Sequence, residues 1–159
     1  MRTKSWILGV IRAVALAGCS LSIPSDPDGT LERVTGGELR VGVSPSPPWT
    51  ETDGPGDPEG TEVDLVEEFA DGLGARVVWT EGGEADLVSA LERGELDLVI
   101  AGFTDTTPWT SIGSMTQPYA ESTNEEGKTA KHVMLAPMGE NAFLVELERF
   151  LLVGEGEQT

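Results

Sequence analysis

The chain has 159 residues, 28 of them acidic and 10 basic, for a formal net charge of −18 at neutral pH. That excess of negative charge argues against partners held by basic patches, namely nucleic acid and anionic lipid headgroups. A hydrophobic content of 38% with recurring apolar periodicity points to a folded domain rather than a disordered chain.

Arg2 and Lys4 open the chain, an apolar stretch runs from Trp6 to Leu16, and Leu16-Ala17-Gly18-Cys19 closes it. A positive start, a short apolar run and small residues are the layout of a secretory signal. The run is too short to span a bilayer, which needs about 20 residues, and Arg12 interrupts it. The small-small-Cys ending resembles the lipobox of bacterial lipoproteins, which implies a signal peptide over 1–18 and lipid on Cys19. Cys19 is the only cysteine, so no disulfide can form within the chain. Acylation would remove a thiol that is a liability in an oxidising compartment. An ordinary signal with a cysteine nearby by chance is the plainer alternative. Cleavage removes three bases and no acid, leaving 28 acidic residues against seven basic ones. Residues 19–37, rich in Ser, Pro, Asp and Gly, read as a flexible linker from the membrane. Residues 38–159 then form one small domain with a single core.

Leu39 to Val43 alternates and is β-branched, which predicts a strand. A Pro- and Gly-rich loop follows to Gly60. Thr61, with Asp64 three residues on, predicts a capped helix whose Val63, Val66, Phe69, Ala70 and Leu73 share one face. Arg76 to Thr80 reads as a strand, about 84–93 as a helix, and the apolar Leu96 to Ala101 as a strand buried on both faces. Strand, helix, strand, helix, strand predicts a mostly parallel sheet flanked by helices, an α/β class. Lys131 to Ala136 adds another strand, and Glu140 to Leu152 a last amphipathic helix.

Leu39-Arg40-Val41-Gly42-Val43, Pro48-Trp49 and Gly60-Thr61-Glu62-Val63-Asp64-Leu65 occur in order. They continue into Leu87 to Val99, Ala101-Gly102-Phe103-Thr104-Asp105-Thr106-Thr107 and Gln117-Pro118-Tyr119. Over about 80 residues this set resembles the family 3 extracellular solute-binding proteins, the polar amino-acid receptors of bacterial ABC importers. The resemblance implies one lobe of a periplasmic-binding-protein-like fold, a small polar solute, a membrane transporter as partner and a periplasmic or cell-envelope location. Two departures stand out. The family has two lobes, whereas here a short polar stretch near 120–130 leads straight into the returning strand, so the second lobe is missing. A homodimer could supply the other wall. The family's arginine, whose planar fork meets the ligand's carboxylate, aligns without gaps on Trp109.

The candidate ligand-binding residues are therefore Trp49, Gly102, Thr104, Thr106 and Trp109. The threonine loop lies at the C-terminal end of the third strand, where ligands bind in open α/β sheets. The two indoles offer a π face to a cation or a sugar, or simply cover the end of the sheet. Nine acidic residues and no base lie between Arg40 and Arg76. They lack EF-hand spacing and read as a solvated face, so no metal or other cofactor is expected. His132, the only histidine, has no nucleophile motif beside it, and no enzymatic activity is expected. Two functions remain: a solute receptor serving a membrane transporter, or a ligand-free accessory lipoprotein docking on an inner-membrane transporter or ion antiporter.

Overall fold

The computed structural model describes residues 25–155; the expected signal peptide and the lipidation site Cys19 lie outside them. β1 (Glu38–Val43) is central. It pairs in parallel with β2 (Arg76–Glu81) on one side, from Glu38 opposite Arg76 to Val43 opposite Glu81. On its other side lies β3 (Leu98–Ile100), also parallel. The crossovers are α2 (Thr61–Gly72) and α3 (Glu84–Glu92), as βαβ connections require. The sheet is completed by β4 (Gly113–Met115) and β7 (Leu135–Pro137), in the order β2-β1-β3-β7-β4. β7 runs antiparallel to both β3 and β4.

The two faces of the sheet carry separate cores. On one, Leu39, Val41 and Val43 of β1 and Leu98 and Ile100 of β3 meet α2. Against them also packs α4 (Asn141–Glu155), through Phe143, Leu147 and Leu151. Phe69 and Phe143 lock these helices edge to face, with centroids 5.9 Å apart. On the other face, Val99 points to Leu87, Val88 and Leu91 of α3. Neighbouring residues of β3 thus serve opposite cores, as strand alternation dictates. Burying one such side chain contributes about 1.5–3 kcal/mol.

Three sequence expectations need correction. The linker expected as far as residue 37 is ordered structure from residue 26 on, including α1 (Thr30–Val34) with Thr30 and Val34 buried. Its anchor is reciprocal capping: Asp26 accepts the backbone N–H groups of Ala142 (2.7 Å) and Phe143 (3.0 Å). Glu140 in turn accepts those of Asp28 (2.9 Å) and Thr30 (3.0 Å). Ser-Pro-Asp-Gly composition cannot reveal caps whose partners lie more than a hundred residues away. Second, α2 has Gly60 at its N-cap and no side-chain cap, so Thr61 does not play that part. Third, Lys131 to Ala136 is two strands. β6 (Thr129–His132) pairs with β5 (Ala120–Thr123) as an antiparallel hairpin, and β7 returns to the main sheet. This hairpin occupies the stretch expected as the junction left by the second lobe. Among the described residues no helix is long and apolar enough to cross a membrane.

Candidate functional site

The C-terminal ends of β1 and β3 lie side by side, and their loops fold onto each other. After Val43 the chain turns tightly: Trp49 N–H donates to the Ser46 carbonyl, and Ser46 N–H to that of Thr50, each at 2.9 Å. Thr50 Oγ1 donates to the Ser44 carbonyl from a fully buried position. This turn presents the Trp49 ring. Behind it Gly60, at φ 128°, is irreplaceable on steric grounds, since a Cβ there would stand 2.4 Å from the Trp49 carbonyl oxygen. After β3 the chain enters the left-handed region at Gly102, φ 60°. A Cβ at Gly102 would meet Ser46 Oγ at 2.6 Å and Trp49 Cδ1 at 3.0 Å. Glycine is what lets the two loops touch.

Residues beyond Gly102 pair with the end of the hairpin. Val133 N–H donates to the Phe103 carbonyl (3.0 Å) and Asp105 N–H to that of Lys131 (2.9 Å). A bridge also joins Thr104 and His132. This lays the His132 ring on Trp49, centroids 3.8 Å apart at 27°. Its Nε2 is 2.8 Å from Ser122 Oγ, while Nδ1 is buried without a hydrogen-bond partner. Burial lowers the His132 pKa, against the opposing pull of the Gly102 and Phe103 backbone. The Thr104 and Thr106 hydroxyls sit 2.9 Å apart, the second exposed.

Trp49, Gly102, Thr104 and Thr106 are thus placed at one end of the sheet. Trp109 is not. It lies in the 3-10 turn Pro108–Ser111, packs with the α3 core on the opposite face from Trp49, and donates its indole N–H to Glu84 (3.1 Å). Residue spacing along the loop could not show which face the ring would cover.

Three further residues complete the site. Glu62, in the first turn of α2, is wholly buried. It accepts the Gly102 N–H at 2.8 Å and the hydroxyl of Tyr119. Burial pushes its pKa up from 4.5 to about 7, despite those hydrogen bonds and one from the Ala101 backbone, which favour the carboxylate. Burial and the neighbouring carboxylate in turn raise the Tyr119 pKa. Tyr119 meets Trp49 edge on, at 6.5 Å. His132, which has no nucleophile motif beside it in the sequence, joins them through its stack. Glu62 is one of the nine acidic residues between Arg40 and Arg76 that the sequence reads as a solvated face, and its full burial corrects that reading for this residue. Nearby, Glu51, Asp53, Asp57 and Glu59 with Pro45 and Pro47 surround an open hollow of about 120 Å³. Among the described residues no group of three or more His, Cys, Asp or Glu is placed to hold a metal.

What this edge can offer a ligand is an aromatic shelf, two hydroxyls and a glycine backbone close to it, with acidic groups around and no basic fork. The described fold is similar to the arginine-bound form of domain 1 from TmArgBP, at 25% identity and TM-score 0.66, covering 76% of this chain and 95% of that one. A point mutant of that domain, also arginine-bound, is 23% identical with TM-score 0.70, covering 80% and 98%. The ancestral amino acid-binding protein AncCDT-1, a precursor of cyclohexadienyl dehydratase, shares the fold at 15% identity and TM-score 0.68, covering 80% and 94%. No curated protein matches the chain. The profile of the bacterial extracellular solute-binding proteins, family 3, matches residues 39–151. With the motif order, the single-lobe α/β sheet and the gathered β1 and β3 loops, this chain belongs to that family.

Proposed function

We propose that the protein is an exported, single-lobe receptor, anchored by lipid on Cys19, that captures a small polar solute of cationic character for a membrane transporter. The observation that carries this reading is the meeting of Trp49, Gly102, Thr104 and Thr106 at the C-terminal ends of β1 and β3, the place where open α/β sheets take ligands. The cationic preference rests on the indole face, the acidic surroundings and the lack of an arginine at residue 109. The arginine found bound to domain 1 from TmArgBP supports a lobe that works without its second half.

The test is a thermal-shift titration of the purified chain with arginine, lysine, putrescine, glutamine and glucose. A binder at a hundred times its dissociation constant stabilises the fold by about 2.7 kcal/mol. The expected result is stabilisation by a cationic amino acid or polyamine, lost in Trp49→Ala and Thr104→Ala. A folded protein unmoved by the whole panel sinks the receptor reading. One observation favours a second reading, an accessory lipoprotein docking on a transporter or antiporter. One face of the Trp49 ring is already covered by His132, so the aromatic shelf has a partner without a solute.

A further inference from the structure

Glu62 is the one fully buried acid at the junction of the site turn and the hairpin. Its carboxylate takes the Gly102 N–H on one oxygen and the Tyr119 hydroxyl on the other. Gly102 fixes the loop lying on Trp49. Tyr119 directly precedes β5, the outgoing strand of the hairpin whose last residue, His132, stacks on Trp49. The Glu62 N–H itself donates to the Trp49 carbonyl (3.0 Å). One side chain therefore ties together the shelf, the turn beside it and the root of the segment that covers it. Among the described residues no basic side chain comes within 4 Å of it, so nothing neutralises its charge.

We propose that Glu62 is the positioning residue of this site, and that ionisation of its carboxyl releases the Ala120–His132 hairpin from Trp49. The inference deepens the reading of these loops as a solute site. A buried carboxyl without a counter-ion is more acidic once water reaches it. Lifting Tyr119 and the hairpin lets water in. The closed form therefore binds the proton more tightly than the open one, and closure is favoured at low pH and lost as pH rises through about 7. Two titratable groups meet this junction by hydrogen bond or stack: Tyr119, whose pKa burial and the Glu62 carboxylate raise, and His132 against Trp49. His132 works in the opposite sense. Its lowered pKa means that protonation favours the open form, so its limb lies on the acid side and is separable.

The test is hydrogen exchange by NMR on the full chain, read at the amides that close the hairpin onto the site, Asp105, Tyr119 and Val133. It needs no solute, so failure of the receptor reading and failure of this inference are distinguishable. After correction for intrinsic exchange, protection should fall by up to about ten-fold between pH 6 and pH 8, with a midpoint near 7, while core amides of β1 stay unchanged. Glu62→Gln should abolish that limb and leave the His132 limb. Should Glu62→Gln fail to fold, Tyr119→Phe removes only the hydroxyl that steadies the carboxylate, and it should move the midpoint upward. Flat protection in the parent chain, a slope retained in Glu62→Gln, or an unmoved midpoint in Tyr119→Phe overturns the proposal.

Discussion

Replacing Asp97 by alanine should remove about 2–3 kcal/mol of stability. Asp97 precedes β3 at the edge opposite the site, and its side chain is 1% exposed. Its carboxylate accepts five hydrogen bonds. Three come from Arg40, through the backbone N–H (2.9 Å), Nε (3.0 Å) and Nη2 (2.6 Å). Two come from Arg33, through Nη1 (3.2 Å) and Nη2 (2.6 Å). Breaking a fully buried ion pair from one side costs about 3–5 kcal/mol. Here the arginine side chains are 42% and 32% exposed and can rehydrate, which argues for the lower figure. For a domain of this size the fall in Tm would be about 10 °C. Urea unfolding followed by circular dichroism at pH 7 measures it, with Asp97→Asn, which keeps one acceptor, expected to lose less. Burial alone would raise the Asp97 pKa, but the hydrogen bonds from Arg40 and Arg33 prevail and hold it below 3.8. A depressed carboxyl contributes stability that is present above its unfolded pKa and lost as pH falls through the folded one. The gap between parent and Asp97→Ala should therefore narrow below about pH 3.8. A loss under 1 kcal/mol at pH 7, or a gap that widens in acid, would refute the reasoning.

Gly102→Ala forces a side chain into the left-handed region and against Ser46 and Trp49. It should cost about 1–3 kcal/mol in a melt and abolish any solute-induced shift. Glu140→Ala orphans two backbone N–H groups at α1 and should cost about 1–2 kcal/mol, with exchange at Asp28 and Thr30 rising first. Glu62 has the opposite pH sign to Asp97. Its raised pKa makes the parent chain gain stability relative to Glu62→Gln as pH falls from 8 to 5, by up to about 3 kcal/mol; chemical denaturation at both pH values checks this. Trp109→Ala should lower Tm through the α3 core and leave solute affinity unchanged, as measured by calorimetry.

Local pattern and motif order determined a good deal. The alternation of Leu39 to Val43, the apolar face of α2 and the run Leu96 to Ala101 all mark elements that need only their own neighbours to be recognised. Their order commits the first three strands to a parallel arrangement, because each crossover carries a helix. The motif from Ala101 to Thr107, placed after a buried strand, located the loop where Trp49, Gly102, Thr104 and Thr106 meet. Long-range pairing was decided elsewhere. Asp26 looks like linker until Ala142 and Phe143 supply the N–H groups it caps. Lys131 to Ala136 reads as one strand until Phe103 and Thr116 draw Val133 and Met134 out of line. Trp109 sits five residues beyond Thr104, yet the short turn carries it to the other face of the sheet. Glu62, Tyr119 and His132 come from three distant segments, and each is unremarkable in its own stretch of chain. Burial without a counter-charge gives Glu62 its altered acidity, and only the assembled fold creates that surrounding. Period and composition report what a residue does to its neighbours in sequence. The proton affinity and the covered indole of this site arise from neighbours in space.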